Sequence, residues 1–173
     1  MLDFLSACLR YGVSICVAGA TSSGKTTVGS LLAKQLDREI IDLDDEIVKR
    51  LGCPISEYFK SHTEKEFRDI ETEITKEISK RNGIVIATGG GCILREENVN
   101  ALRLNGKLYF LDRSIENLTP TDSRPLASKK SDIEALFEAR YHIYNSVCDV
   151  KIDSNLLPQE EANLIIEEFY ITK

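Results

Sequence analysis

The densest chemical signal in the chain is Gly19-Ala20-Thr21-Ser22-Ser23-Gly24-Lys25-Thr26, a match to G-x-x-x-x-G-K-[ST], with Thr27 next. In such a loop successive backbone N–H groups turn inward on a phosphate, and the helix that opens behind it adds its positive end. The lysine of the pattern reaches the β- and γ-phosphates, and the Thr26 hydroxyl is a ligand for Mg²⁺. Residues 19–27 are therefore expected to bind ATP or a similar triphosphate. A chance Gly-Lys turn would not require the context found here. Gly12–Ala18 (GVSICVA) before the loop is apolar and β-branched, and Val28, Leu31, Leu32 and Leu36 after it recur at helical spacing.

Four further groups have the residue types for chemistry, each with a plainer reading beside it. Asp42-Leu43-Asp44 is read as the end of a second strand, with both carboxylates on one side. One would serve the water shell of Mg²⁺ and the other a substrate hydroxyl; alternatively Asp44 only caps the following helix. Arg68 and Glu71 stand i,i+3 on a long helix, taken alone an ordinary surface ion pair. Arg140 and Tyr144 are likewise i,i+4 neighbours. Gly89-Gly90-Gly91 directly follows a strand, and three glycines in a row cost backbone entropy that makes sense where a ligand approaches the main chain. Arg124-Pro125 lies in a polar loop from which a cation could close over a phosphate. Cys92, next to the glycines, is read as structural.

The elements that must position these groups alternate regularly. Strands are expected at Gly12–Ala18, Glu39–Leu43, Ile84–Thr88, Lys107–Leu111 and Cys148–Ile152, with helical patterns between them. The clearest helix runs from Thr63 to Arg81, opens on a capping box, and carries Phe67, Ile70, Ile74 and Ile78 on one stripe. Five strands separated by helices predict an α/β fold with a parallel sheet covered on both faces. Asp44–Arg81 is too long for one crossover and is expected to be a helical insertion; Thr119–Lys130 (TPTDSRPLASKK) is expected to be a mobile loop.

Composition narrows the class. At 173 residues a single domain is expected, with a core large enough to stand without disulfides. No apolar run is long enough to span a membrane as a helix. Five cysteines with neither C-x-x-C pairing nor zinc spacing predict free thiols in a reducing, cytoplasmic setting. Ala18-Gly19-Ala20 imitates a leader cleavage site, but Asp3 replaces the usual basic segment and cleavage would cut the phosphate loop, so no leader is expected. The formal charge of −6 argues against nucleic acid as a partner. Half of it falls in Pro158–Lys173, expected to be a solvated helix face, away from Lys25, Arg68, Arg124 and Arg140.

Taken together the motifs resemble the shikimate kinase family, from about Val13 to Pro158. The matching pieces are the phosphate loop, IIDLDDEI (40–47), EFRDIE (66–71), ATGGG (87–91), SRPL (123–126) and ARYHIY (139–144), in family order. The resemblance implies a P-loop kinase-like three-layer α/β/α fold. Its single domain, 1–173, would have a five-stranded parallel sheet, a substrate-binding region at about 44–81 and a mobile lid at about 117–130. It implies phosphorylation of the shikimate 3-hydroxyl by ATP with Mg²⁺, in aromatic amino-acid (chorismate) biosynthesis, by a cytoplasmic monomer. By that resemblance Lys25, Asp44 and Arg124 are catalytic, and 19–27 with Arg124 bind ATP. Asp44, Arg68, Gly89, Gly90, Gly91 and Arg140 bind substrate, Thr26 and Asp42 serve the metal, and Glu71 holds Arg68. Two departures stand out. Ser22 occupies a position where the family usually has glycine, and Glu116-Asn117-Leu118 lacks the arginine the family often turns toward adenine, as does the stretch Asp153–Pro158. The competing readings are another small-metabolite kinase, acting on gluconate or a nucleoside monophosphate, and a degenerate nucleotide-binding regulatory domain. The latter would be expected to have lost Lys25, Asp44 or an arginine of the pair.

Overall fold

The computed structural model describes residues 12–118 and 130–171. Within them the apolar runs become strands and the periodic stretches helices. β1 (Ser14–Gly19) is buried along its whole length, which is why it reads as apolar without alternation. It is followed by α1 (Lys25–Leu36), β2 (Ile40–Asp42), α2 (Leu43–Leu51), a short α3 (Ile55–Tyr58) and α4 (Glu64–Ile78). Then come β3 (Val85–Ala87), α5 (Glu96–Asn105), β4 (Gly106–Asp112), α6 (Lys130–Val147), β5 (Val150–Asp153) and α7 (Pro158–Ile171). Each expected strand is present, with ends shifted by one or two residues.

All strand pairs are parallel, in the order β2-β3-β1-β4-β5. Alternate residues of β1 serve two cores. Ile15 and Val17 pack with Val28 and Leu32 of α1 and with Ala162, Ile165 and Phe169 of α7. Cys16 and Ala18 face the opposite layer, with Phe67 and Ile74 of α4, Leu102 of α5 and Tyr144 of α6. Each fully buried branched or aromatic side chain contributes about 1.5–3 kcal/mol, and both layers are held this way. The acidic C-terminal stretch is thus not a face solvated all round. One side of α7 is core, Glu161 is buried with it, and Glu168 accepts from Lys107 and the Tyr109 hydroxyl at 2.6 Å each.

The register sets the functional edge. Asp42 lies level with Ala87, Gly19 with Leu111, and Asp112 with Asp153, so all five strands end together. In an open parallel sheet that C-terminal edge is where ligands bind, beside the strand at which the order reverses. Here the reversal occurs around β1, and the loop that leaves β1 is the phosphate-binding motif.

The expected insertion is α2, α3 and α4. The Thr63 capping box forms as written: Thr63 Oγ1 accepts from the Glu66 N–H at 3.3 Å, and Glu66 Oε2 accepts from the Thr63 N–H at 2.8 Å. That contact fixes where α4 starts, and with it the heights of Arg68 and Glu71. Of the expected lid, Asn117 ends a 3₁₀ turn and Lys130 starts α6, while 119–129, including Arg124, lie outside the described residues.

Candidate active site

The loop between β1 and α1 curls through two left-handed residues, Gly24 at φ 90° and Ser22 at φ 63°. Glycine takes that conformation freely; a residue with a β-carbon takes it at about 1–2 kcal/mol, so Ser22 carries a strain that glycine at this position would not. Lys25 is 4% exposed, and its Nζ donates to the Ala20 carbonyl at 2.7 Å, which draws the ammonium back over the loop. Thr21 lines the adjoining cavity, Thr26 and Thr27 are exposed at the helix mouth, and the Ser23 side chain is fully buried.

The expectation that Asp42 and Asp44 both end a strand needs correction. β2 stops at Asp42, which caps α2: its Oδ1 accepts from the Asp44 N–H at 2.9 Å. Asp44 is therefore in the first turn of the helix, where a carboxylate faces the positive end of the dipole. The cap is Asp42. Both carboxylates still line one cavity, brought there by the strand-to-helix bend. The other oxygen of Asp42, Oδ2, accepts from the Thr26 hydroxyl at 2.6 Å. A hydroxyl and a carboxylate side by side at the mouth of a phosphate loop form a hard-oxygen pair. That set suits Mg²⁺, which takes its remaining ligands from water and phosphate.

On α4, Arg68 donates through Nη1 to Glu71 Oε2 at 2.8 Å and through Nη2 to Glu64 Oε1 at 3.1 Å. This is not the surface pair that the i,i+3 spacing alone suggests, because Glu71 is 1% exposed. Burial pushes the Glu71 carboxyl above its ordinary value despite the charge of Arg68. Burial works against the Arg68 guanidinium as well, but Glu71 and then Glu64 overcome it and hold the charge. Across the cavity Arg140 reaches the Gly90 carbonyl at 3.5 Å, which the Tyr144 hydroxyl also engages. Its guanidinium is held below its ordinary value by burial, and the like charge of Arg68 pushes the same way.

The three glycines form the floor between these groups. A β-carbon on Gly89 would stand 2.8 Å from Asp44 Oδ1 and 3.0 Å from Glu71 Oε1. One on Gly91 would stand 2.3 Å from Arg68 Nη2. Bare main chain is what lets the carboxylates and the guanidinium converge. Cys92 behind them is fully buried with its thiol pushed well up, so it is inert packing. The resulting cavity, about 360 Å³, joins Thr21, Thr26, Asp42 and Asp44 to Arg68, Glu71, Gly89–Gly91 and Arg140. Its apolar wall (Val48, Ile55, Phe59, Phe67 and Leu136) was not legible as one surface in the sequence, since those residues come from four helices and the turn after α3 and follow no common motif.

Comparison with known proteins agrees with this geometry. The family model described as shikimate kinase matches residues 21–170. A shikimate kinase of Caldicellulosiruptor bescii is 40% identical over 167 residues, covering 92% of this chain and 96% of that protein. Among solved structures, shikimate kinase from Acinetobacter baumannii in complex with shikimate superposes with a TM-score of 0.87 at 31% identity, covering 94% of this chain and 95% of that one. A gluconokinase from Sinorhizobium meliloti also superposes, covering 93% of this chain and 95% of that one, with a TM-score of 0.62 at 18% identity, a likeness of fold alone.

Proposed function

The chain belongs to the shikimate kinase family, and on that footing we propose that it transfers the γ-phosphoryl group of ATP to the 3-hydroxyl of shikimate, giving shikimate 3-phosphate and ADP. The observation that carries the substrate assignment is the convergence of Arg68 and Arg140 on one glycine-floored cavity beside the phosphate loop. Two part-buried guanidiniums that repel each other become favourable neighbours once a carboxylate stands between them. A planar fork suits a carboxylate better than it suits a nucleobase edge.

In this reading the two arginines grip the substrate carboxylate, with Glu71 fixing the rotamer of Arg68. Gly89, Gly90 and Gly91 offer main-chain contacts, and Asp44 takes the ring hydroxyls. Asp44 orients the 3-hydroxyl and accepts its proton as that oxygen bonds to the γ-phosphorus. The bond from the γ-phosphorus to the β–γ bridging oxygen breaks, and ADP leaves with the electron pair. Lys25 and the amides of 19–27 hold the phosphates in line, which with charge neutralisation is most of what a loose transition state requires. Mg²⁺, held through Thr26 and the Asp42 side, would neutralise charge on the β- and γ-phosphates. Arg124 would add a cation from the lid at 117–130, and closure would exclude water as a competing acceptor. In this reading the chain acts as one domain, with the substrate region at 44–81, and as a monomer. The described cysteines are all free thiols, as a cytoplasmic enzyme would keep them.

A coupled ADP assay with shikimate, gluconate and nucleoside monophosphates as acceptors tests the assignment. ADP release should depend on shikimate alone; equal release without it would overturn the reading.

A further inference from the structure

Four buried side-chain atoms among the described residues have no hydrogen-bond partner: Ser23 Oγ, Asn98 Oδ1, Arg113 Nε and Glu161 Oε1. Three of the four gather against one flank of the phosphate loop. Ser154, just past β5, joins them, with its hydroxyl within reach of both the Ser23 carbonyl (3.1 Å) and Glu161 Oε2 (2.9 Å). Arg113, just past β4, puts Nη1 within 3.6 Å of the place where a β-carbon on Gly24 would be. Its charge is also felt at Glu161, whose carboxyl it favours in the ionised form.

Arg113 differs from the other arginines. The seven others among the described residues each donate to an acceptor, from Arg38 on the Val13 carbonyl to Arg140 on that of Gly90. Arg113, half-buried at the phosphate loop, makes no hydrogen bond and no ion pair with any of them. Five donors are held at an anion-binding loop with no acceptor among the described residues.

The strand order says which part of a ligand those donors would meet. The loop after β1 has Asp42 and Gly89–Gly91 on its β2–β3 side and Arg113 on its β4–β5 side. The phosphoryl group that is transferred has to face the acceptor, on the β2–β3 side. The rest of the nucleotide then extends over β4 and β5. The turns after these two strands are tied together there: the Asn155 side-chain oxygen accepts from the Ser114 N–H and from Asn117 Nδ2, both at 3.0 Å.

We propose that Arg113 is a specificity residue of the nucleotide site, holding the nucleoside end of ATP and ADP from the β4 side of the phosphate loop. A guanidinium suits this place because it can lie flat on a base and donate to the ribose oxygens beside it. It thereby supplies a cation that 116–118 lacks. The inference rests on the reading of the cavity as an ATP site.

Calorimetric titration of the parent and of Arg113→Met with MgADP and, separately, with inorganic tripolyphosphate tests it. The substitution keeps the apolar stem in place and removes the donors. The Kd for MgADP should rise about tenfold or more, as for the loss of a charge-assisted contact. The Kd for tripolyphosphate, which has no nucleoside end, should stay within twofold. An MgADP affinity within twofold of the parent overturns the role of Arg113, and so does an equal loss for both ligands. If Arg113→Met melts below the assay temperature, Arg113→Lys replaces it. Lys keeps the charge without the fork, and an unchanged MgADP affinity there is equally fatal. A parent that binds no MgADP at all would instead remove the ATP reading.

Discussion

Gly91→Ala separates substrate binding from folding more cleanly than any change to a charged residue. Gly91 has φ −105° and ψ −4°, a backbone conformation open to alanine, so the substitution adds no dihedral strain. The atoms nearest the added β-carbon all belong to Arg68. The new β-carbon would lie 2.3 Å from Nη2 and 2.5 Å from Cζ and Nη1, whereas ordinary contact begins near 3.4 Å. The guanidinium must withdraw by about 1 Å, and the 2.8 Å bond to Glu71 then stretches beyond good hydrogen-bond length. Its partner contact with a substrate carboxylate is lost by the same movement. A hydrogen bond to a charged group is worth about 1.5–3 kcal/mol, so kcat/KM for shikimate should fall roughly 10- to 150-fold. Folding should change little, because the reduced unfolded-state entropy of alanine offsets about 0.4–1 kcal/mol of the weakened contact between Arg68 and Glu71. Steady-state kinetics with each substrate varied in turn would read the split. Shikimate KM should rise while ATP KM stays within twofold, and urea unfolding should show a midpoint near that of the parent. In an Arg68→Ala background the same substitution should do little. An unchanged shikimate KM would refute the argument that bare main chain at Gly91 seats Arg68.

Asp44→Asn should lower kcat by about a hundredfold or more and leave MgADP affinity nearly unchanged; turnover within twofold of the parent would reduce Asp44 to a favourable charge in the first turn of α2. Glu161→Gln tests linkage at the flank of the phosphate loop. Burial raises the Glu161 carboxyl, so its contribution favours the fold below its unfolded pKa and is lost as pH rises through the folded one. Urea unfolding should therefore show variant and parent alike in acid and the variant more stable in alkali, and a difference independent of pH would contradict this. Ser22→Gly should relieve the left-handed strain and raise stability by about 1 kcal/mol, seen as an upward shift of Tm in a calorimetric scan; a lower Tm would mean that the serine hydroxyl is worth more than the strain.

The phosphate loop was legible because its chemistry is contiguous: eight neighbouring residues between an apolar strand and an amphipathic helix leave little for distant structure to alter. The inner strands β1 and β3 were legible for a similar reason, since burial on both faces leaves no room for polar alternation, while the edge strand β5 alternates, with Lys151 and Asp153 exposed. The capping box at Thr63 is local as well, and formed as read. The boundary at Asp42 was not, because D-L-D serves equally as a strand end or as a cap followed by a first turn. The choice fell to whether Asp42 could accept the Asp44 N–H while its second oxygen met Thr26, which sits on another element.

The sequence by itself determined a parallel α/β sheet, a triphosphate loop and a set of charged residues in family order. Only the tertiary structure decided what those charges are. It turned an i,i+3 ion pair into a buried carboxylate bracing a guanidinium, and set Arg68 opposite Arg140 across three glycines. It also set Arg113, at the end of the neighbouring strand β4, beside the loop of Gly24. The physical reason is that periodicity records only whether a residue is buried within its own element. Which residues meet across a cavity depends on strand order and on which helix covers which face, and both are settled by packing between segments far apart in the chain.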